Sequence, residues 1–548
     1  MNHRLDLVHE LSINETRFAL ERLDLRDLVW LRPRVDVLVV VDTEIQVADT
    51  YDSFGVGRFI RLLRESYVGC TGFRVDVATR NTQAFSDNGP GGDGHIRYRG
   101  FRFDSVDGGD PVVDRYDEIF MFGFKPDNNG GDDSRIDDAA LPGVVPMDAA
   151  ERDAIAAFMD DGGGVFATGD HDYLGATMCH HIPRVRSMRK WTNADGVPPI
   201  GGSTRIDTHQ PVTPGQHAGT QMIPSGAQSD AAPQPIEWVP VVDYRVGLFR
   251  FREPHEVLCH PTLGPIDVMP DHAHEGVCFT RAEIEADPVR RAEFPGSELP
   301  VVIAYGNVVP DPPYDHQKGA VDPQRFPMIS VYDGTVDDVG RVVVDSTWHH
   351  WMNINVDDIE AAGGDDWAKI SRYFLNVARW IARPGSIRKW CWWELVAANW
   401  KYVGMEEFHP EATTLELGVA VHGHLAGLLG PCTVRNFVFD SICDLVPELC
   451  HRLVERFRIP RPDPCLSCPP FDLLERAVLG GAVQAIMPLA ERIRVSLEHG
   501  DGFEVDLDEI ERLGLEGARK GLAEFSKEVL ASTDDVRDLF ESTLGALR

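Results

Sequence analysis

Gly162-Gly163-Gly164-Val165-Phe166-Ala167-Thr168-Gly169-Asp170-His171-Asp172-Tyr173-Leu174-Gly175 is the stretch whose reading decides the fold. Three successive glycines stop a helix, and the apolar run after them reads as a strand buried on both faces. Gly169 then opens a turn crowded with ionisable side chains. Just upstream, residues 147–161 carry the spacing of an amphipathic helix, so the local order is helix, stop, strand, turn.

The same alternation extends in both directions. Val35-Asp36-Val37-Leu38-Val39-Val40-Val41 predicts a buried strand, 54–66 a helix, 73–78 a second strand and 116–123 a third. Regular strands return at 301–305, 328–332 and 341–345. Between them, residues 185–299 form a Pro-, Gly- and His-rich region too long for an ordinary loop, read as an insertion covering one end of the sheet. Strands alternating with helices in this way predict an α/β fold with a doubly wound, mostly parallel sheet, in which ligands bind at the carboxyl ends of the strands. From residue 365 onward the spacing is helical, over 367–381, 390–400, 415–429, 434–457, 471–497 and 507–547. Gly418, Gly423, Gly427, Gly480 and Gly481 permit close helix approach there. The expected organisation is a helical arm at 1–30, an α/β domain at 31–360 and an all-helical domain at 365–548.

A chain of 548 residues exceeds what one hydrophobic core usually supports. Its 87 acidic against 53 basic side chains give a formal charge of −34, which repels phosphate backbones and anionic lipid and excludes nucleic acid and membrane as expected partners. Residues 1–10 lack the cationic start and apolar run of a secretory signal, so cytoplasmic residence is expected. The uncharged run at 417–434 contains His422 and His424 and reads as a buried helix with its turn. Ten cysteines are too dilute for a disulfide scaffold.

Three polar constellations carry the candidate chemistry. In the first, Gly169, Asp170, His171, Asp172 and Tyr173 follow a strand and precede an expected helix, where exposed amides favour an anion or a developing oxyanion. The alternative is a capping cluster. In the second, His272 and His274 project to one face of an extended segment with Glu275 beside them, a spacing able to hold a divalent ion such as zinc or to remain a solvated loop. In the third, Trp348-His349-His350-Trp351 follows the last strand, so that the indoles can wall a pocket for a polar, sugar-like ligand while one histidine serves as an acid or base. At least one of these two histidines is expected only to satisfy the core. Apart from these, Cys465 and Cys468 form a CxxC pair that Cys443 and Cys450 could extend to a zinc site, although Cys443 and Cys450 fit core packing on a helix.

Gly162 to His171, the strand ending at Gly123, and Gly340-Arg341-Val342-Val343-Val344 followed by His349-His350 together resemble the ThuA-like branch of the class I glutamine amidotransferase superfamily, over about residues 35–355. That resemblance implies a flavodoxin-like sheet and an elbow at which histidine replaces the nucleophilic cysteine. Cys179 lies beyond the elbow and is expected to point elsewhere, so glutamine hydrolysis is not expected. Two readings follow. One is a hydrolase or lyase acting on a small polar substrate through His171, Asp170 or Asp172, and His350. The other is a non-catalytic binding or scaffold protein whose helical domain carries a protein partner or self-association.

Overall fold

A run of valines with no polar break is stable as a strand only where both faces are covered, and the centre of this protein is built from such runs. The computed structural model describes residues 34–42, 47–51, 53, 55–69, 71–80, 96–124, 147–169, 175–191, 195, 233–246, 249–270, 276–308, 324–383, 389, 391–396, 412–449, 471–498 and 506–546. The expected arm at 1–30 lies outside them. Strands β1 (Arg34–Val41), β2 (Gly72–Thr79), β3 (Ile96–Arg99), β4 (Glu118–Phe122), β5 (Gly164–Thr168), β6 (Glu237–Trp238), β7 (Val301–Val308), β8 (Gln324–Tyr332) and β9 (Val342–Asp345) form a 9-stranded sheet in the order β3-β2-β1-β4-β5-β9-β8-β7-β6. From β3 to β9 the neighbours are parallel, and β9, β8, β7 and β6 are successively antiparallel. The sheet is therefore mixed and mostly parallel, and its order reverses between β1 and β4.

The register aligns the strand ends. Thr79 lies beside Val41, Val41 beside Phe122, Phe122 beside Thr168, and Thr168 beside Asp345. One row thus crosses the carboxyl edge of the parallel part.

Alternation sends Val35, Val37, Val39 and Val41 to one face and Leu38 and Val40 to the other. The first face is covered by helices α1 (Gly57–Glu65), α3 (Asn353–Ala362) and α4 (Gly364–Ile381), and the second by α2 (Ala149–Asp160) together with chain from 175–191 and 277–299. Helix α4, expected in the separate helical domain, lies against β5 and β9 and completes the sheet's cover. The insertion also contributes to the sheet, because β6 pairs with β7.

Helices α5 (Thr414–Leu429), α6 (Pro431–Leu445), α7 (Phe471–Glu498) and α8 (Leu507–Ala546) follow. Gly430, at φ +96, turns α5 into α6, so the uncharged 417–434 run lies in a helix, its turn and the start of the next helix; within α5 only the stripe of Leu417, Gly418, Val421, Leu425 and Leu429 is buried, and Val419 is exposed, where a buried helix was expected. Gly481 meets the backbone at Gly517, and Gly418 meets that of Arg476, so added methyl groups there would collide. Gly423 and Gly427, read from sequence as further close-approach sites, face open space. Among the described residues one stretch, Leu473–Ile493, has the length and apolarity to cross a membrane, and 67% of it is buried in the protein.

Candidate functional site

Each strand of the parallel sheet delivers the residue after its last pairing to the carboxyl edge, and several of these are polar and enclosed. Asp42, after β1, is fully buried and accepts the amide of Phe124 at 2.6 Å. Gly123, after β4, donates to the carbonyl of Thr168 at 3.1 Å. A side chain on Gly123 would come within 2.5 Å of Gly175 Cα, so glycine is what allows these two turns to touch. Arg80, after β2, forms a buried two-point pair with Glu151 of α2, with contacts of 2.5 and 3.2 Å.

The end of β9 holds the most connected group. Asp345 is buried at zero exposure, and its carboxylate accepts from His350 Nδ1 at 2.9 Å to each oxygen, from Trp351 Nε1 at 3.0 Å, from the Tyr373 hydroxyl at 3.1 Å and from the Thr347 amide at 3.4 Å. A buried carboxylate is tolerable only with such a set of donors. The two contacts from Nδ1 to the Asp345 carboxylate fix the orientation of the His350 ring. Burial and the nearby Asp345 charge push the Tyr373 phenol well up, which keeps its donating proton in place.

Next along the chain, the carbonyl of Ser346 accepts from Arg189 Nε at 3.0 Å, from Arg189 Nη2 at 2.8 Å and from the amide of Gly276 at 3.1 Å. The Arg189 guanidinium lies 4.2 Å over the Trp191 ring. Trp348 stacks on Phe124 at 4.7 Å and so ties the turn after β9 to the turn after β4.

The sequence-derived candidates fall into two groups. Asp170, His171, Asp172, Tyr173, His272, His274, Glu275, Cys465 and Cys468 lie outside the described residues. Their flanks are placed. Gly169 directly follows Thr168, the partner of Asp345, and Gly276 is bonded to the residue after Asp345. His349, His350, Trp348 and Trp351 are described, and all four are buried. Trp351 lies among Phe59, Phe120, Phe166 and Phe374, so it braces the core and holds Asp345 instead of walling an open pocket.

Two local expectations are corrected. Residues 175–184 form no regular helix but turns and a single 3₁₀ turn at Cys179–His181, and only the four-residue helix Val185–Met188 follows, so no helix N-terminus stands beside the elbow among the described residues. Cys179, expected to point away from the elbow, is buried in the core of the second face with Sγ 4.0 Å from the Thr168 carbonyl, and burial together with the charge of Asp42 pushes its thiol far above the ordinary range, so it is not a nucleophile. Cys443 is disulfide-bonded, so it is neither the free core thiol nor the zinc ligand considered from sequence.

Asp42, Arg80 with Glu151, Arg189, Asp345 and Tyr373 were not singled out by sequence reasoning. One signal was present: Val-Val-Val-Asp occurs twice, at 39–42 where Asp42 directly follows β1 and at 342–345 where it makes up β9, and a carboxylate at the end of such an apolar run must be paired. Among the described residues no three His, Cys, Asp or Glu side chains are grouped as metal ligands. No protein family, curated protein or solved structure matches the chain.

Proposed function

We propose that the protein is a hydrolase or lyase of a small polar substrate, sugar-like compounds included, bound over the carboxyl edge of the parallel sheet. The observation that carries this reading is the Asp345–His350 pair at the end of β9. A buried carboxylate that orients a histidine ring is the arrangement that poises an imidazole as a general base, or as a ligand for a divalent ion such as zinc. His171 with Asp170 and Asp172, from the chain leaving Gly169, supplies the second acid or base. His272, His274 and Glu275, from the chain entering Gly276, supply further ligands, with Trp348 and Tyr173 against the substrate. A flavodoxin-like reading of the fold agrees with this location. Without the short edge strand β3, the parallel strands run 2-1-3-4-5 in chain order, and the switch point lies between β1 and β4, beside Asp42.

The test is turnover by the purified protein of a panel of small esters, lactones and glycosides, followed by mass spectrometry, with bound metal measured in parallel. Wild type is expected to convert at least one compound class, and His350→Gln to lose about 10²-fold or more with its melting transition retained. A divalent ion, where bound, is expected to be lost in His171→Ala. Absence of turnover across the panel, or full turnover by His350→Gln, overturns the reading.

The burial of His349, His350 and Trp351 favours a second reading, a non-catalytic binding or scaffold protein. Capture of a defined partner that depends on the helices after residue 383 and is indifferent to His171→Ala would establish it.

A further inference from the structure

At the opposite end of the sheet, a small cavity of about 40 Å³ lies between the α/β body and the C-terminal helices. Arg341, which precedes β9, marks this as the amino end, whereas Asp345 and His350 sit at the carboxyl end of the same strand. The walls come from both layers: Arg379 and Trp380 on α4 and Glu256 in the 3₁₀ turn Glu256–Leu258 on one side, Cys391, Asn436 and Asp440 on the other.

Most of the polar groups here are accounted for. Arg341 donates to Asp333 at 3.2 Å and to the Trp380 carbonyl at 3.1 Å, and Asn436 donates to Glu256 at 2.7 Å. Arg379 is different. It is only 5% exposed, its Nη2 contacts the Cys391 sulfur at 3.1 Å, and its buried Nε–H has no acceptor among the described residues. Thiol sulfur is a weak acceptor, so the guanidinium is held without a carboxylate. The neighbouring Arg372 feels this charge: burial and Arg379 bring its pKa down to about 10. An enclosed guanidinium with an unmet donor edge is a site for a planar anion.

Two carboxylates of the lining narrow the ligand. Glu256 and Asp440 are close enough to Arg341 to hold its charge, and they disfavour a multiply charged anion while accepting from a donor. Trp380 and Phe437 add apolar surface. We propose that this cavity binds a small zwitterionic carboxylate of the amino-acid class, its carboxylate on the Arg379 Nε edge and its ammonium toward Glu256 and Asp440. Such a ligand would bridge the α/β body and the C-terminal helices. The inference is independent of the reading of the carboxyl edge.

The experiment uses the full chain. Binding of each free L-amino acid, with inorganic phosphate alongside, is measured by calorimetry, and amide hydrogen exchange of the peptides that carry Arg379 and Asp440 is followed by mass spectrometry with and without the compound. At least one amino acid is expected to bind saturably and to slow exchange in both peptides, with phosphate inert. Arg379→Lys is expected to weaken binding by about tenfold or more, because an ammonium lacks the planar fork. Exchange protection in the unaltered protein reads the site even where that variant does not fold. No amino-acid binding, binding without protection of those two peptides, equal binding of phosphate, or undiminished binding by folded Arg379→Lys would each overturn the proposal.

Discussion

Asp345 shows how a single carboxylate organises its surroundings. Its oxygens accept from an imidazole, an indole, a phenol and a backbone amide, and three of these side chains would lose a buried acceptor together if it were changed. Asp345→Asn is expected to lower stability by about 1–3 kcal/mol, read from urea denaturation, whereas His350→Gln, which keeps a donor, should cost less. Glu118, on β4, is the contrasting case. It is fully buried, neither oxygen has a hydrogen-bond partner, and burial together with the charge of Asp117 raises its pKa well above the ordinary value of 4.5. A carboxyl whose folded pKa is raised binds its proton more tightly when folded. Its contribution is therefore fully present below about pH 4.5 and is lost as pH rises through the folded pKa. Glu118→Met is expected to stabilise the protein at neutral pH by about 1–3 kcal/mol and to flatten the decline above pH 4.5 seen in wild type by thermal melting.

At the level of elements, the C-terminal helices are closely approached backbones. Gly481 of α7 and Gly517 of α8 face each other, and Gly480 lies on the Thr414 backbone of α5, so bulk cannot enter without moving a helix. Gly481→Val is expected to cost about 1–3 kcal/mol in chemical denaturation. Gly423 belongs to the same family of small residues in the sequence but faces open space, and Gly423→Ala should instead stabilise by about 0.5–1 kcal/mol through helix propensity. The two substitutions separate packing glycines from incidental ones, which spacing alone does not.

For the whole molecule, one hydrophobic cluster runs without a break from the valines of β1 through Trp351 and Phe374 to Leu425, Val483 and Phe525. Arg372 of α4 reaches the carbonyls of Leu428 and Leu429 at the end of α5 at 3.2 and 3.0 Å, and Asn376 holds the carbonyls of Glu256, Val257 and Cys259. The helices are thus part of the core's enclosure and not an appendage. A chain ending at Arg383 is expected to aggregate or to lose its cooperative melting transition, measured by sedimentation and circular dichroism. A soluble, cooperatively melting 1–383 fragment would show that the α/β body closes its own core.

Periodicity and stop signals by themselves determined the main strands, the helix of residues 149–160 and the helices at 364–381, 414–429, 471–498 and 507–546, because a buried strand or an amphipathic helix writes its burial into adjacent residues. The imidazole pair after β9 was legible for the same reason, being contiguous with a strand. Tertiary structure alone decided that Trp351 belongs to the core, that Cys179 faces Thr168, that Asp345 gathers Tyr373 from 28 residues away, and that Arg379 and Asp440 wall one cavity. Those relations join residues with no shared period, and they come from the register of the sheet and from the way α4 is clasped between β9 and the last helices.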